Sequence, residues 1–170
     1  MALFKIINDE YRNTDTINNL VNYVLNPVKM PSMCYGGLGI NPGNPADSMC
    51  IVKKIYGKTI GKQAEHFILA FNKKEQRLLA TPFLMKIAYE ICDFFKNVQI
   101  LFAVHEVKNT FLSDDYEDDL IHIHFVVNTV NLQTGNKFRI DYNNVTELKE
   151  HIKSVLEENE ITETLLFLVG

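Results

Sequence analysis

The eight residues Ile121 to Asn128, I-H-I-H-F-V-V-N, constrain this chain more than any other stretch, because they place two histidines one residue apart inside an unbroken β-strand pattern. Side chains alternate faces along a strand, so His122, His124, Val126 and Asn128 share one side and Ile121, Ile123, Phe125 and Val127 the other. The apolar side can be buried against helices at about 25 cal/mol per Å². The opposite side then carries two imidazoles at i and i+2, a spacing at which both can grip one cation.

The chain has 170 residues and no Pro/Gly/Ser-rich linker, which fits one domain spanning 1–170. No apolar run has the length of a signal peptide or a membrane span, so no membrane partner is expected. The three cysteines, Cys34, Cys50 and Cys92, are scattered without zinc-type spacing, and a reducing cytoplasm is the expected location. The net charge of -4 is unevenly spread. Residues 1–100 hold 12 Lys/Arg against 8 Asp/Glu, a net of +4, and residues 101–170 hold 5 against 13, a net of -8. A polyanion could therefore still bind the basic part.

Periodicity predicts a strand over Ala2 to Asn8. A helix follows, capped by Thr14 or Asp15, with the stripe Ile17, Leu20, Val21, Val24 and Leu25 and an end at Asn26-Pro27. Pro31 to Asp47 is rich in Gly, Pro and Asn and reads as one long loop. Beyond it come a helix at Ala46 to Tyr56, a strand at His66 to Asn72, a helix at Thr81 to Phe95 and a strand at Val98 to His105. Glu106 to Asp119, with its acidic run S-D-D-Y-E-D-D, reads as a solvated excursion. The remainder is the strand of the two histidines, a turn at 133–136, a strand at Lys137 to Asp141, a helix at Val145 to Glu158 and an apolar run at Thr162 to Val169.

On the strand before the pair, His105 shares a side with Gln99, Leu101 and Ala103. If the two strands are neighbours, it can join His122 and His124 as a third ligand. His66 is a spare candidate by the same parity, and Asn128 could orient a ligand imidazole by a hydrogen bond. A lone histidine on a half-buried strand is commonly only a hydrogen-bonded polar residue; the third imidazole is what turns the pair into a candidate centre.

These residues also carry a resemblance. N-Y-V-L-N-P-V-K at 22–29, H-F-I-L-A-F-N at 66–72, V-H at 104–105 and H-I-H-F-V-V-N-T-V-N-L-Q-T-G-N-K-F at 122–138 together resemble the mobilisation-type DNA relaxases of the HUH endonuclease superfamily. One departure stands out. In close relatives the first histidine opens an H-x-D motif a few residues before H-x-H, whereas here it opens H-E-V, 17 positions before His122. An insertion explains this, but it leaves the carboxylate that normally orients a histidine unassigned among Glu106, Asp118 and Asp119, and it would allow His66 to replace His105.

The resemblance implies a site- and strand-specific nickase and strand transferase. Tyr23 would attack a phosphodiester in single-stranded DNA at the transfer origin of a plasmid or integrative element, leaving a 5′-phosphotyrosine and a free 3′ hydroxyl. His105, His122 and His124 would hold a divalent metal, magnesium or manganese in function, with zinc, nickel or cobalt also suited to three imidazoles. Relaxosome accessory proteins are implied as partners. By pattern alone Tyr23 is a core-edge residue of an amphipathic helix. Lys29, Lys53, Lys54, Lys58 and Lys62 are candidate phosphate contacts, although a charge run is commonly just a solvated face. The expected fold is α+β, a central antiparallel sheet with helices on one face and the metal and DNA site on the other. Two rival functions are a rolling-circle replication initiator and a nuclease-dead DNA-binding module. The chain also lacks the C-terminal extension common among relaxases, so it is either a minimal form or a piece of a longer one.

Overall fold

The computed structural model describes residues 2–8, 11–13, 15–30, 32–71, 79–106, 121–161 and 165–169. The acidic excursion after Glu106, with Asp118 and Asp119, lies outside them, as does Thr14. The elements are β1 (Ala2–Ile7), α1 (Thr16–Val24), β2 (Tyr35–Leu38), α2 (Pro45–Ile55), β3 (Ala64–Phe71), α3 (Thr81–Cys92), β4 (Val98–His105), β5 (His122–Asn131), α4 (Tyr142–Glu158) and β6 (Leu165–Val169). The strands form one six-stranded sheet in the order β2-β4-β5-β3-β1-β6.

The α+β architecture is the one expected, with two differences of detail. The sheet is mixed, because β6 runs parallel to β1 while the other pairings are antiparallel. Helices also cover both faces. On one, Phe67, Phe102, Phe125 and Val127 pack against Leu84, Ile87 and Ile91 of α3 and Leu148 and Ile152 of α4. On the other, Leu101, Ala103 and Val126 pack against Ile17, Leu20, Val21 and Val24 of α1 and Met49 of α2. The cause is the apolar content of this second face: each such side chain removed from water contributes about 1.5–3 kcal/mol, enough to draw the α1 stripe onto the sheet.

Two further expectations are corrected. The Gly-rich loop contains β2, an edge strand paired with β4 from Tyr35 against Ala103 to Leu38 against Ile100. Its glycines are needed there, since a Cβ on Gly37 would collide with the Ile100 carbonyl and one on Gly36 with the Tyr89 ring. Lys137 to Asp141, by contrast, is no strand beyond a single bridge from Lys137 to Val130. The chain leaves β5 there because Asp141 already caps α4, accepting from the Asn143 and Asn144 backbone in a capping box with Asn144.

Candidate metal centre

Strand pairing brings the histidines together. His105 on β4 is opposite His122 on β5, and His124 is flanked by Ala103 on β4 and Ile68 on β3. Direct partners point to the same face, so the parity expected from sequence holds in three dimensions. One nitrogen from each of His105, His122 and His124 lies within 4.8 Å of the others. The imidazoles were expected on an open face, yet all three are buried: His105 is 1% exposed, His122 7% and His124 1%. The cover is α1.

Hydrogen bonds orient the rings. His105 donates Nε2–H to the Val24 carbonyl at 2.7 Å, because a carbonyl can only accept. In the neutral ring that makes Nδ1 the lone-pair nitrogen. Nε2 of His122 and Nε2 of His124 are 3.1 Å apart, close to the roughly 3.3 Å separation of two nitrogens bound to one tetrahedral metal at about 2.0–2.1 Å. Burial, then the neighbouring His122, His105 and His66, hold the His124 pKa well below its ordinary value. Burial first, then His105 and His122, lower His66 to about 4. Three buried imidazoles, each with one ring nitrogen within 4.8 Å of the others, are the donor set a divalent cation needs, so the residues fit a metal.

Tyr23, in the last turn of α1, lies over this cluster. Its ring meets His124 edge-on, with centroids 5.6 Å apart, and His105 at 6.4 Å. It is 47% exposed, at the edge of the buried cluster as its pattern expects. Lys29 places its ammonium 5.1 Å from the Tyr23 centroid. Beside Tyr23 a cleft of about 470 Å³ opens, walled by Tyr11, Asn19, His66 and Ile68 among others.

The other candidates fall elsewhere. Asn128 shares the face but is four residues, roughly 13 Å, along β5 from His124. Its amide donates to Gln99 Oε1 at 2.8 Å and to the Met49 carbonyl at 3.2 Å, so it ties α2 to the sheet and orients no imidazole through those bonds. Glu106 accepts from the Thr81 hydroxyl at 3.2 Å on the α3 side, because it follows His105 and takes the opposite parity. Lys53 is buried, 3% exposed, and donates to Thr129 Oγ1 at 3.0 Å. Met49 and Lys53 are both on the buried side of α2, being one turn apart. Lys62 pairs with Glu65 at 2.6 Å. Lys54 is exposed and Lys58 half-buried. His66 does not displace His105 from the cluster: its Nε2 lies 2.9 Å from His124 Nδ1, and its Nδ1 2.8 Å from the Tyr11 hydroxyl. Tyr11, in sequence only an alternative nucleophile beside Tyr35, could not be paired with His66 from spacing, the two being 55 positions apart.

Fold and cluster together define an α+β domain with a three-imidazole site, able to hold a metal, at the middle of its sheet. The model of the relaxase nuclease domain, MobA/VirD2-like, matches residues 23–161, and the chain belongs to that family of DNA-processing nuclease domains. No curated protein and no solved structure matches the chain significantly. Among the described residues no helix is long and apolar enough to cross a membrane.

Proposed function

We propose that this domain nicks and rejoins single-stranded DNA at the transfer origin of a plasmid or integrative element through a covalent bond to Tyr23. The observation that carries the reading is the position of Tyr23, half-exposed and edge-on to two of the three clustered imidazoles.

The Tyr23 hydroxyl gives up its proton to water as its oxygen attacks the scissile phosphorus; a Tyr–O–P bond forms on the 5′ side, the bond to the 3′ oxygen breaks, and that oxygen takes a proton from water to leave as a hydroxyl. The product keeps the energy of a phosphodiester, so the 3′ hydroxyl can later reverse the reaction without ATP. His105, His122 and His124 would hold the divalent ion, magnesium or manganese, which when bound draws charge from the nonbridging phosphate oxygens. Burial shields all three rings from bulk solvent, and it is the first cause that holds His124 well below its ordinary pKa. The Val24 carbonyl fixes His105 against the same helix that carries Tyr23, so nucleophile and ligand set keep their relative position. Lys29, its ammonium 5.1 Å from the Tyr23 centroid, would meet the phosphates of the strand, and the cleft of about 470 Å³ at Tyr11 and Asn19 would take a flanking nucleotide. Relaxosome accessory proteins are the further partners this reading implies.

The test is a denaturant-resistant protein–oligonucleotide adduct. The parent chain, given manganese and labelled single strands from candidate transfer origins, forms the band, and Tyr23→Phe and chelator each abolish it. A band that survives Tyr23→Phe moves the nucleophile to another tyrosine. A parent that binds its origin but never forms the band is the nuclease-dead module.

A further inference from the structure

Outside the ligand set, Tyr11 and the buried His66 form a continuous chain with a ligand. Tyr11 Oη and His66 Nδ1 are 2.8 Å apart, His66 Nε2 and His124 Nδ1 are 2.9 Å apart, and His124 Nε2 faces His122 Nε2 at 3.1 Å. We propose that His66 and Tyr11 are positioning residues that set the tautomer and ring angle of His124, in the place a carboxylate holds at many imidazole metal sites. The proposal rests on the metal-centre reading above.

The chemistry of the donors dictates the direction of the chain. A ligating imidazole binds through a lone pair and carries its proton on the other nitrogen, which it gives to a carboxylate, carbonyl or water. His124 turns Nε2 toward the cluster, so its proton resides on Nδ1 and is donated to His66 Nε2. A neutral His66 accepting at Nε2 has its own proton on Nδ1, and that proton goes to the Tyr11 oxygen. The His124–His66 and His66–Tyr11 links are then each one donor facing one acceptor, while the His122 and His124 Nε2 atoms are left as lone pairs for the ion. The near-parallel rings of His66 and His124, 23° apart with centroids at 5.2 Å, suit such a bond.

The sheet explains why these two histidines meet. His66 is opposite Val126 and His124 opposite Ile68, so they are diagonal neighbours on one face, within reach for long side chains. His66 is 4% exposed, too enclosed for bulk water to substitute freely for either partner. Tyr11 is held in turn. Its carbonyl accepts from the Gln63 backbone at 2.7 Å, and its φ of 40° is a left-handed conformation that non-glycine residues adopt only when their surroundings impose it. The brace also accounts for the departure from H-x-D: Glu106 turns to Thr81, and an imidazole occupies the orienting position at His124.

Calorimetry of the full chain with Mn²⁺ tests this, using His66→Leu, His66→Gln and Tyr11→Phe, with His122→Ala as the control for the centre itself. Loss of an orienting partner typically weakens a metal site about 10–100-fold, which is the effect expected for His66→Leu. His66→Gln, whose side-chain oxygen can still accept from His124 Nδ1–H, recovers most of it, and Tyr11→Phe loses a few-fold while keeping its packing. In the Zn²⁺-loaded parent, imidazole nitrogen NMR shows the His124 proton on Nδ1. Parent-like affinity in both His66→Leu and Tyr11→Phe overturns the brace. Affinity as poor in His66→Gln as in His66→Leu also overturns it, as does a His124 proton found on Nε2. Binding that His122→Ala leaves intact overturns the metal centre, and the brace with it.

Discussion

His105 donates its Nε2 proton to the carbonyl of Val24 at 2.7 Å, and Val24 is the residue after Tyr23. The last carbonyls of a helix have no partner within it, so the C-terminus of α1 offers an acceptor that an imidazole can take. One bond thereby joins the strand that brings a ligand to the helix that brings the tyrosine.

The cluster therefore behaves as a unit. Replacing His122 and His124 together by alanine is expected to reduce Mn²⁺ stoichiometry from one per chain to none in calorimetry, since a single remaining imidazole does not hold the ion. Parent-like binding by that double variant would remove the centre from these residues.

The same coupling predicts a split for His105→Ala. It removes a ligand and also releases α1, so metal affinity and adduct formation both fall. A mere loss of packing would lower thermal stability without affecting Mn²⁺ affinity. Calorimetry beside a melting curve of the metal-free protein separates the two.

How much of this could be read from sequence depends on the period of each element. Strand parity has period two and does not drift, so the common face of His105, His122, His124 and His66 follows from spacing once the strands pair. Parity says nothing about distance along the strand, which is why Asn128 shares the face but misses the histidines. The burial of the cluster was hidden because the stripe of α1 shows that the helix has an apolar side, not which sheet face receives it. β2 was hidden by its own requirement, since the glycines that let it approach β4 also read as loop. Lys53 was taken for surface on its charge alone, although its spacing from Met49 already put it on the inner side of α2.

Gly37 supplies a direct check on that edge. A methyl group there would strike the Ile100 carbonyl backbone, which cannot move without breaking the β4 ladder. Gly37→Ala is expected to cost on the order of 2–3 kcal/mol in urea unfolding, at the upper end of ordinary substitutions. A cost below about 0.5 kcal/mol would mean that β2 does not lie against β4 in this register.

Single-stranded DNA binding should weaken with salt, since phosphate contacts release counterions. The lysines are not equivalent in this. Charge reversal at Lys29 or Lys54 is expected to lower affinity and flatten the salt slope while leaving the melting temperature near that of the parent. Reversal at Lys53 should instead destabilise the fold, because the new carboxylate would be buried against Thr129. Filter binding at several salt concentrations, read beside melting curves, tells the two classes apart.

Lys53 gives the pH dependence. Burial, and after it the neighbouring charge of Lys137, lower its pKa from 10.5 to about 7, with Cys50 opposing. Between those two values the unfolded chain holds a proton that the folded chain does not, so the unfolded state binds more protons and stability rises with pH across that window. Below about 7 both states are protonated and this slope disappears. Lys137, lowered chiefly by burial and then by Arg139 and Lys58, pushes in the same direction. Lys53→Met keeps the aliphatic stem and removes the buried amine. The Thr129 hydroxyl still donates to the Lys62 carbonyl at 2.8 Å, so little is lost with the ammonium. The variant is expected to be more stable than the parent at pH 7.5 by on the order of 1 kcal/mol, with a flatter rise from pH 7 to 9 in urea titrations. A variant less stable than the parent at pH 7.5, with the slope unchanged, would show that Lys53 stays charged in the fold and is held by partners strong enough to offset its burial.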